Sequence, residues 1–421
     1  MAARVASPTG AVETFSADIT AATGFLADGG TCGLKTSGRR DVGAIISVRL
    51  ATAAGTFTAN KVKAAPVLVC EEVLRRTGGR GQAVVFNSGN ANAATGLTGV
   101  ENARAMQRML AEGPGKAHGI RAEHVFVAST GVIGVHLDMV RLARGIGALT
   151  PASEGGVTAV EAMMTTDTVP KTAAARFSVG GSPVTVAGIA KGAAMIAPQM
   201  VPHATMLAFV GTDAAVESAY LQRVLSAAVD DSFNMVIVDG DMSTNDTCLL
   251  LANGVAWPER RPALDGSQPE CAAFEEALRS VCLRLAQAMA RDGEGATKFI
   301  EVRVEGASSD ADARKIARSI VGSNLTKSAV LGADPNWGRI ACAAGYSGAA
   351  IDPLKFDVSI GSVNLVKSGL ALNYDEAAAS AEMLGKEVRL SMHLHLGEGA
   401  ATAWGCDLTP EYVRLNSEYT T

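Results

Sequence analysis

The sequence predicts a mixed α/β enzyme body made of two lobes, and three observations support this prediction. A chain of 421 residues exceeds one ordinary hydrophobic core, so we expect two or three domains or one large two-lobed unit. The chain is 48% hydrophobic but only 5% aromatic, and it contains 45 glycines, which is typical of a tightly packed Ala/Val/Gly-rich α/β protein. Short apolar runs also alternate with segments of helical spacing along most of its length.

Composition excludes several classes of partner. A net charge of −5 without a long Lys/Arg run argues against a nucleic acid held by bulk electrostatics and against a polybasic membrane patch. We find no apolar segment of signal-peptide length and no run of eighteen apolar residues, so a soluble cytoplasmic protein is expected. Seven scattered cysteines without a C-x-x-C pair predict reduced thiols.

Metal binding is not indicated. The six histidines show no H-E-x-x-H spacing. His393 and His395 alternate, which predicts one face of a strand, and strand surface is favoured over a pair of metal ligands. Asp239 and Asp241 follow an apolar run and are surrounded by hydroxyl and amide side chains, so a hydrogen-bonded turn is favoured over a divalent-metal site.

The first half of the chain begins a sheet. Apolar and β-branched runs predict strands over residues 43–50, 83–86 and 125–129, and helical spacing predicts helices over 67–76 and 101–111. Residues 87–96 form a turn rich in asparagine, which is either an inert connector or a set of fixed amide dipoles facing a ligand.

A second turn follows the strand at 125–129. Thr130 and Gly131 place a hydroxyl beside a glycine N–H, and such donors are needed to hold a developing oxyanion. An ordinary strand-to-helix turn has the same composition, so the residues alone leave both interpretations open.

The pattern continues in the second half. We predict strands over 175–179, 184–189, 206–210, 235–239 and 299–304, and helices over 214–229, 274–289 and 308–321. Thr212 or Asp213 is the predicted N-cap of the helix at 214–229.

The chain is organised around residues 191–213. A Gly- and Ala-rich loop interrupted by Pro198 and Pro202 leads into the apolar run at 206–210, which is typical of a strand buried on both faces. Thr205 therefore lies where a loop meets the core. It is either a β-branched residue that suits the start of a strand or a reactive hydroxyl.

Motifs along nearly the whole chain, from Gly33 to Thr421, resemble those of the ornithine acetyltransferase family. The loop matches that family's self-cleaving segment, in which an Ala-Thr peptide is cut, at Lys191, Gly192, Met195, Ile196, Pro198, Ala204, Thr205, Met206 and Leu207. Matching elements occur at 87–92, 129–134, 164–167, 294–298 and 332–339. Two departures are Ala194, where the family has glycine, and residues 201–203, which appear as an insertion.

The resemblance implies an α+β fold with layered sheets flanked by helices, an αββα-like sandwich. It also implies cleavage between Ala204 and Thr205 into two interlocked chains, 1–204 and 205–421, assembled as α2β2. Thr205 would be the nucleophile, and Thr130 with Gly131 would form the oxyanion hole. The substrate-binding residues would be Thr165, Lys191, Thr205, Glu294, Asn416 and Thr421.

The implied activity is ping-pong transfer of an acetyl group from N2-acetylornithine to glutamate in arginine biosynthesis, without a metal or cofactor. The residues leave open whether acetyl-CoA is also a donor. Two alternatives remain at this point. One is an amidase or aminopeptidase that uses the same threonine with water as acceptor, and the other is an uncleaved protein that binds acylated amino acids.

Overall fold

A computed structural model describes residues 12–197, 200 and 206–418. In these ranges the strands are β1 (Glu13–Phe15), β2 (Phe25–Gly30), β3 (Val42–Phe57), β4 (Arg80–Asn90), β5 (Val125–Val132), β6 (Lys171–Val179), β7 (Ser182–Lys191), β8 (Leu207–Thr212), β9 (Val236–Ile237), β10 (Thr247–Ala252), β11 (Phe299–Ala307), β12 (Asp357–Ile360), β13 (Val363–Lys367), β14 (Leu370–Ala371), β15 (Glu387–His393) and β16 (Gly399–Cys406).

Helices alternate with these strands along much of the chain. The α-helices of the described ranges are α1 (Ala65–Thr77), α2 (Gly96–Glu112), α3 (Met139–Gly147), α4 (Gly156–Met163), α5 (Ser218–Asp230), α6 (Cys271–Arg291), α7 (Asp310–Gly322), α8 (Asn324–Leu331), α9 (Trp337–Gly345), α10 (Glu376–Ala381) and α11 (Pro410–Glu418).

The first lobe contains a nine-stranded sheet that folds over on itself. Its strand order is β1-β6-β7-β8-β10-β3-β4-β5, with β2 paired to β3. Strands β8 and β4 are three spacings apart, roughly 14 Å in a flat sheet. Yet the rings of Phe209 in β8 and Phe86 in β4 have centroids only 5.5 Å apart. The sheet therefore forms two layers, and β3 changes register between Ile46 and Ala51 where it bends.

Helices cover the outer faces of the two layers. Helices α1 and α2 pack against β5, whereas α5 and α6 pack against β3, β6 and β7. Strand β8 lies in the middle and is buried on both faces, since Ala208 and Val210 join one core cluster while Leu207 and Phe209 join the other. These contacts confirm the predicted layered α/β body flanked by helices.

The second lobe is built on a seven-stranded sheet in the order β14-β13-β12-β15-β11-β16-β9. Helix α7 packs against β11 and β16, and α6 contacts both sheets. The predicted apolar face of α6 is fully buried, from Phe274 to Met289. One core cluster accordingly includes side chains of both lobes, so the two lobes share a hydrophobic interior.

The predictions for the N-cap of the helix at 214–229 and for His395 were wrong. Helix α5 begins at Ser218 with Glu217 as N-cap, because β8 extends to Thr212 and the Asp213 carboxylate accepts hydrogen bonds from the Thr185 and Thr23 N–H groups instead. Strand β15 ends at His393, and His395 has a φ of 55°. The His395 Nε2 atom lies 2.9 Å from Asp357 Oδ2, so this histidine makes a surface pair rather than continuing the strand.

Among the described residues, none of the helices combines the length and apolar character needed to cross a membrane. The seven cysteines are all free thiols, and all except Cys342 are buried. The described ranges contain no cluster of three or more His, Cys, Asp or Glu side chains that could hold a metal ion.

Candidate active site

The ends of three neighbouring strands, β7, β8 and β10, lie side by side in the first sheet, next in sequence to the predicted cleavage position. Lys191, at the end of β7, pairs with Leu207, the first residue of β8, and Leu207 pairs with Thr247, the first residue of β10. Ala204, Thr205, the inserted residues 201–203 and Thr421 lie outside the described residues. The structure therefore defines the surroundings of the chain where it enters β8.

Lys191 is buried at this end of the strands. Its Nζ atom lies 3.4 Å from the hydroxyl of Thr165, so two predicted substrate-binding residues are brought together. Burial lowers the pKa of Lys191, while the nearby carboxylates of Asp167 and Asp246 oppose that shift. A partly desolvated ammonium beside a hydroxyl is well suited to bind a carboxylate.

The Asp167 carboxylate connects two loops of the site. Its oxygens accept hydrogen bonds from the Gly192 N–H at 2.6 Å, from the Lys171 ammonium at 2.6 Å and from the Thr165 N–H at 3.0 Å. Burial opposes ionisation of Asp167, but the charges of Lys171 and Lys191 outweigh it and lower its pKa. Asp167 thus fixes the backbone that carries Thr165 and the residue after Lys191.

Lys171 extends this network to a third loop. Its side chain is completely buried, and Nζ also donates to Asp292 Oδ2 at 2.5 Å. Asp292 in turn accepts hydrogen bonds from the N–H and hydroxyl of Thr168. The ion network of Asp167, Lys171 and Asp292 was not predicted, although Asp167 lies within the motif at 164–167 and Asp292 lies two residues before the motif at 294–298.

Glu294 follows this network and meets the C-terminal tail. Its N–H donates to the Ala193 carbonyl at 2.8 Å, which places Glu294 beside the Lys191 loop. Its Oε2 accepts a hydrogen bond of 2.6 Å from Asn416 Nδ2. Asn416 lies on α11, and this helix passes so close that a Cβ on Gly295 would lie 2.6 Å from the Tyr412 nitrogen.

Thr130 and Gly131 lie within β5, which pairs with the end of β4, so the turn predicted at these two residues is wrong. Gly131 has a φ of 127°, and a Cβ there would lie 2.4 Å from the carbonyl carbon of Gly89, so this position requires glycine. Thr130 is buried and pairs with Ser88. The amide of Asn245 donates to the carbonyls of Ser129 at 2.8 Å and Ala91 at 2.6 Å.

The turn predicted at 87–96 is shorter in the structure, because β4 extends to Asn90 and α2 begins at Gly96, and the asparagine amides of this segment bond internally. The side-chain nitrogens of Asn87, Asn90 and Asn92 donate to the carbonyls of Asn90, Val135 and Gly99 at 2.8, 3.1 and 2.9 Å. These contacts favour the connector interpretation over a set of ligand-facing dipoles.

Lys35 is a half-buried cation that the sequence analysis did not identify. Its Nζ donates to the Met164 carbonyl at 2.6 Å, directly before Thr165, and to the Arg40 carbonyl at 2.7 Å. Burial lowers its pKa to about 8, with nearby Lys191 among the smaller contributions. Lys35 also lies against Gly89, and Gly89 packs on Gly131. Lys35 therefore lies between the end of β5 and the Lys191 side of the site.

Asp239 forms a hydrogen-bonded turn, as predicted. Its carboxylate accepts from the Met195 N–H at 2.5 Å and the Ile196 N–H at 2.8 Å. It therefore anchors the loop that leads towards residue 205.

Lys191 with Thr165, and Glu294 with Asn416, lie on segments next to the entry to β8, on a layered α/β fold flanked by helices. A cation and a carboxylate in this part of the molecule are complementary to the two charges of an amino acid.

Comparison with known proteins identifies the family of this chain. The model of the ArgJ family matches residues 26–421, so the chain belongs to the ArgJ family. It is 50% identical over 414 residues to the arginine biosynthesis bifunctional protein ArgJ of Symbiobacterium thermophilum, covering 97% of this chain and 100% of the relative. It is 46% identical over 407 residues to the protein of the same name from Gloeobacter violaceus, covering 96% and 98%.

Among solved structures, ornithine acetyltransferase from Mycobacterium tuberculosis, crystallised with ornithine, shares 37% identity, with a TM-score of 0.41, and the match covers 45% of this chain and 100% of that one. The family predicted from the sequence motifs and the acyltransferase class within arginine biosynthesis are both confirmed.

Proposed function

We propose that the chain transfers an acetyl group from N2-acetylornithine to glutamate by a ping-pong mechanism, after cleaving itself between Ala204 and Thr205. The mature protein would consist of chains 1–204 and 205–421, assembled as α2β2. The observation that carries this proposal is the convergence of Lys191 with Thr165, and of Glu294 with Asn416, around the start of β8.

Cleavage supplies the base that the nucleophile needs. A threonine hydroxyl has too high a pKa to attack unaided. The α-amino group that cleavage creates on Thr205 has a pKa of roughly 7.7 to 8.0, so a useful fraction is neutral and can accept the hydroxyl proton. Attack on the acetyl carbonyl forms a tetrahedral oxyanion, which Thr130 and Gly131 stabilise. Collapse releases ornithine and leaves acetyl-Thr205, from which glutamate takes the acetyl group.

The charges of the site fit an amino-acid substrate. Lys191 would bind the α-carboxylate, and Glu294 would bind an amino group, with Thr165, Asn416 and Thr421 as hydrogen-bonding partners. Both glutamate and acetylornithine carry an α-carboxylate, so one site can serve the two half-reactions in turn. Acetyl-CoA is a further candidate donor for the same acyl-threonine intermediate.

A product analysis tests this function. Purified protein is incubated with N2-acetylornithine, with and without glutamate, and the products are separated by chromatography. The proposal expects N-acetylglutamate to form only when glutamate is present. Release of acetate at the same rate with and without glutamate would instead identify an amidase, and no turnover of either kind would indicate a binding protein.

Thr130→Ala is expected to lower kcat by about a hundredfold, because removal of one oxyanion donor typically costs that much or more. The KM for acetylornithine should change little, since the donor acts mainly in the transition state. Steady-state kinetics checks both values, and Thr130→Ser serves as the matched variant because it retains the hydroxyl. A raised KM with unchanged kcat would show that Thr130 is a substrate contact.

Deletion of residues 416–421 is expected to leave the cut at Ala204–Thr205 intact and to weaken acetyl transfer severely. Asn416 donates to Glu294 at the site. Polar groups of the bound substrate would lose their partners in the tail, and each such hydrogen bond contributes about 0.5 to 1.5 kcal/mol. A denaturing gel reports cleavage, and kcat/KM for acetylornithine and glutamate reports transfer.

Arg414→Ala is a suitable control for the deletion, because Arg414 is half exposed and its ion pairs with Glu411 and Glu418 stay within α11. Unchanged kcat/KM for both substrates in the truncated enzyme would show that the tail does not close the site.

A further inference from the structure

One buried carboxylate holds the loop between β2 and β3. Asp41 is completely buried, and its two oxygens accept hydrogen bonds from the four consecutive N–H groups of residues 32–35, at 2.6 to 3.0 Å. The Asp41 carbonyl also accepts from the Ser88 N–H at 2.9 Å, which ties the loop to β4. The backbone that carries Lys35 is therefore fixed in place.

The Lys35 ammonium on this loop is not neutralised by a direct contact. Its Nζ donates to the carbonyls of Met164 and Arg40, although an ammonium has three N–H donors. Among the described residues, Lys35 makes no ion pair. The oxygens of Asp41 are taken by the loop N–H groups, and those of Asp167 are taken by other partners at the site. One N–H of Lys35 and its charge are thus left for a ligand.

Lys35 lies between the two parts of the proposed site. On one side, a Cβ on Gly89 would lie 3.2 Å from Lys35 Cγ, and Gly89 packs on Gly131 of the proposed oxyanion hole. On the other side, the carbonyl that Lys35 binds at 2.6 Å belongs to Met164, whose peptide bond leads to Thr165. A ligand that contacts both parts passes close to the Lys35 ammonium.

The two proposed substrates carry different side chains into this site. N2-acetylornithine has one carboxylate and a side-chain ammonium, for which Lys191 and Glu294 are the proposed partners. Glutamate has a second carboxylate at the end of its side chain, and Glu294 would repel that group. A second cation at the site would bind this carboxylate and favour glutamate as the acceptor.

We propose that Lys35 binds the side-chain carboxylate of glutamate and thereby selects the acceptor of the acetyl group; this inference rests on the proposed function. The free N–H of Lys35 donates to a carboxylate oxygen in a charge-assisted hydrogen bond. Lys191 holds the α-carboxylate, so each of the two carboxylates of glutamate has its own lysine. Ornithine has no second carboxylate and gains nothing from Lys35.

The surroundings of Lys35 strengthen this interaction. Burial lowers the pKa of Lys35 to about 8, and Asp41 opposes the shift, so the side chain stays mainly protonated at neutral pH. Because Lys35 is half-buried, water and salt screen its charge less than that of a surface lysine, while a ligand can still reach it.

Lys35→Met separates the two acceptors, because methionine keeps the apolar stem beside Gly89 and removes the charge. Acetyl transfer to glutamate is compared with transfer to isotopically labelled ornithine, the reverse of the first half-reaction. We expect kcat/KM for glutamate to fall about tenfold or more, the usual effect of losing a hydrogen bond to a charged group. The kcat/KM for labelled ornithine should stay within about threefold of wild type.

Three further variants complete the comparison. Lys35→Gln can still donate to the Met164 carbonyl but carries no charge, so it should also lose glutamate selectively. Lys35→Arg keeps the charge and should retain more activity with glutamate than Lys35→Met. Lys63→Met is the matched control, because Lys63 is also half-buried but pairs with Glu71, and it should leave both acceptors unaffected.

Equal losses with glutamate and ornithine in Lys35→Met and Lys35→Gln would overturn the selector role and show that Lys35 only positions Thr165. An unchanged kcat/KM for glutamate in these variants would overturn it as well. Both results leave the proposed function standing if the wild-type chain acetylates glutamate. A wild-type chain that exchanges labelled ornithine but does not acetylate glutamate would instead overturn the proposed function.

Discussion

Replacing Thr205 with alanine is expected to abolish both self-cleavage and acetyl transfer. The substitution removes the hydroxyl of the proposed nucleophile. Without that oxygen neither the ester intermediate of cleavage nor the acetyl-enzyme intermediate of transfer can form. A denaturing gel should show a single band near the full mass of 43.1 kDa, and acetylornithine should yield no N-acetylglutamate.

Thr205→Ser is the matched control for this experiment. It keeps a hydroxyl on the same backbone position, so the cut can still occur, with a rate that reports the role of the methyl group. Two bands in the Thr205→Ala variant would contradict autocatalysis by this residue, whatever its effect on transfer.

Lys171→Met is expected to lower the free energy of unfolding by about 3 to 5 kcal/mol, because it leaves the buried Asp167 and Asp292 carboxylates without their cation. Methionine fills a similar volume, so loss of packing is a minor part of the effect. Urea unfolding followed by circular dichroism measures the change. Activity should fall as well, since Asp167 holds the backbone of Thr165 and Gly192.

Lys355→Met provides the comparison for an exposed pair. Lys355 pairs with Asp352 at 3.1 Å, but its side chain is 55% exposed, so the loss should be within about 1 kcal/mol. Equal effects of the two substitutions would show that the buried network does not stabilise the fold. The pH dependence gives an independent check: the pKa of Asp167 is lowered in the folded state, so its stabilisation is present at neutral pH and is lost as the pH falls through that pKa.

The strands and helices that the sequence located are those whose signals are local. The apolar run at 206–210 predicted a strand buried on both faces, and β8 has both faces in core clusters. The helical spacing from Phe274 to Met289 likewise predicted the buried face of α6. The N-cap of α5 was misplaced because the Asp213 carboxylate bonds to Thr23 and Thr185, which are distant in sequence.

The candidate site likewise combines residues that local motifs indicate with residues that only contacts between distant segments bring together. Motifs indicated Thr165, Lys191 and Glu294, and the structure brings their loops together. Lys171, however, reaches Asp292 across 121 residues of sequence, and nothing in the local pattern around a β-strand lysine predicts that its charge is buried. Lys35 was missed because its position beside Met164 and Gly89 also depends on contacts between distant segments.

By itself, the sequence determined the alternation of strands and helices and the family to which the chain belongs. These depend on side-chain periodicity and on residue types at short spacing, which the chain carries wherever it is placed. Only the tertiary structure decided that the sheet folds over itself and that Asp167, Lys171 and Asp292 share one buried network. The physical reason is that burial and charge pairing arise from contacts between distant segments, and those contacts exist only once the chain has packed.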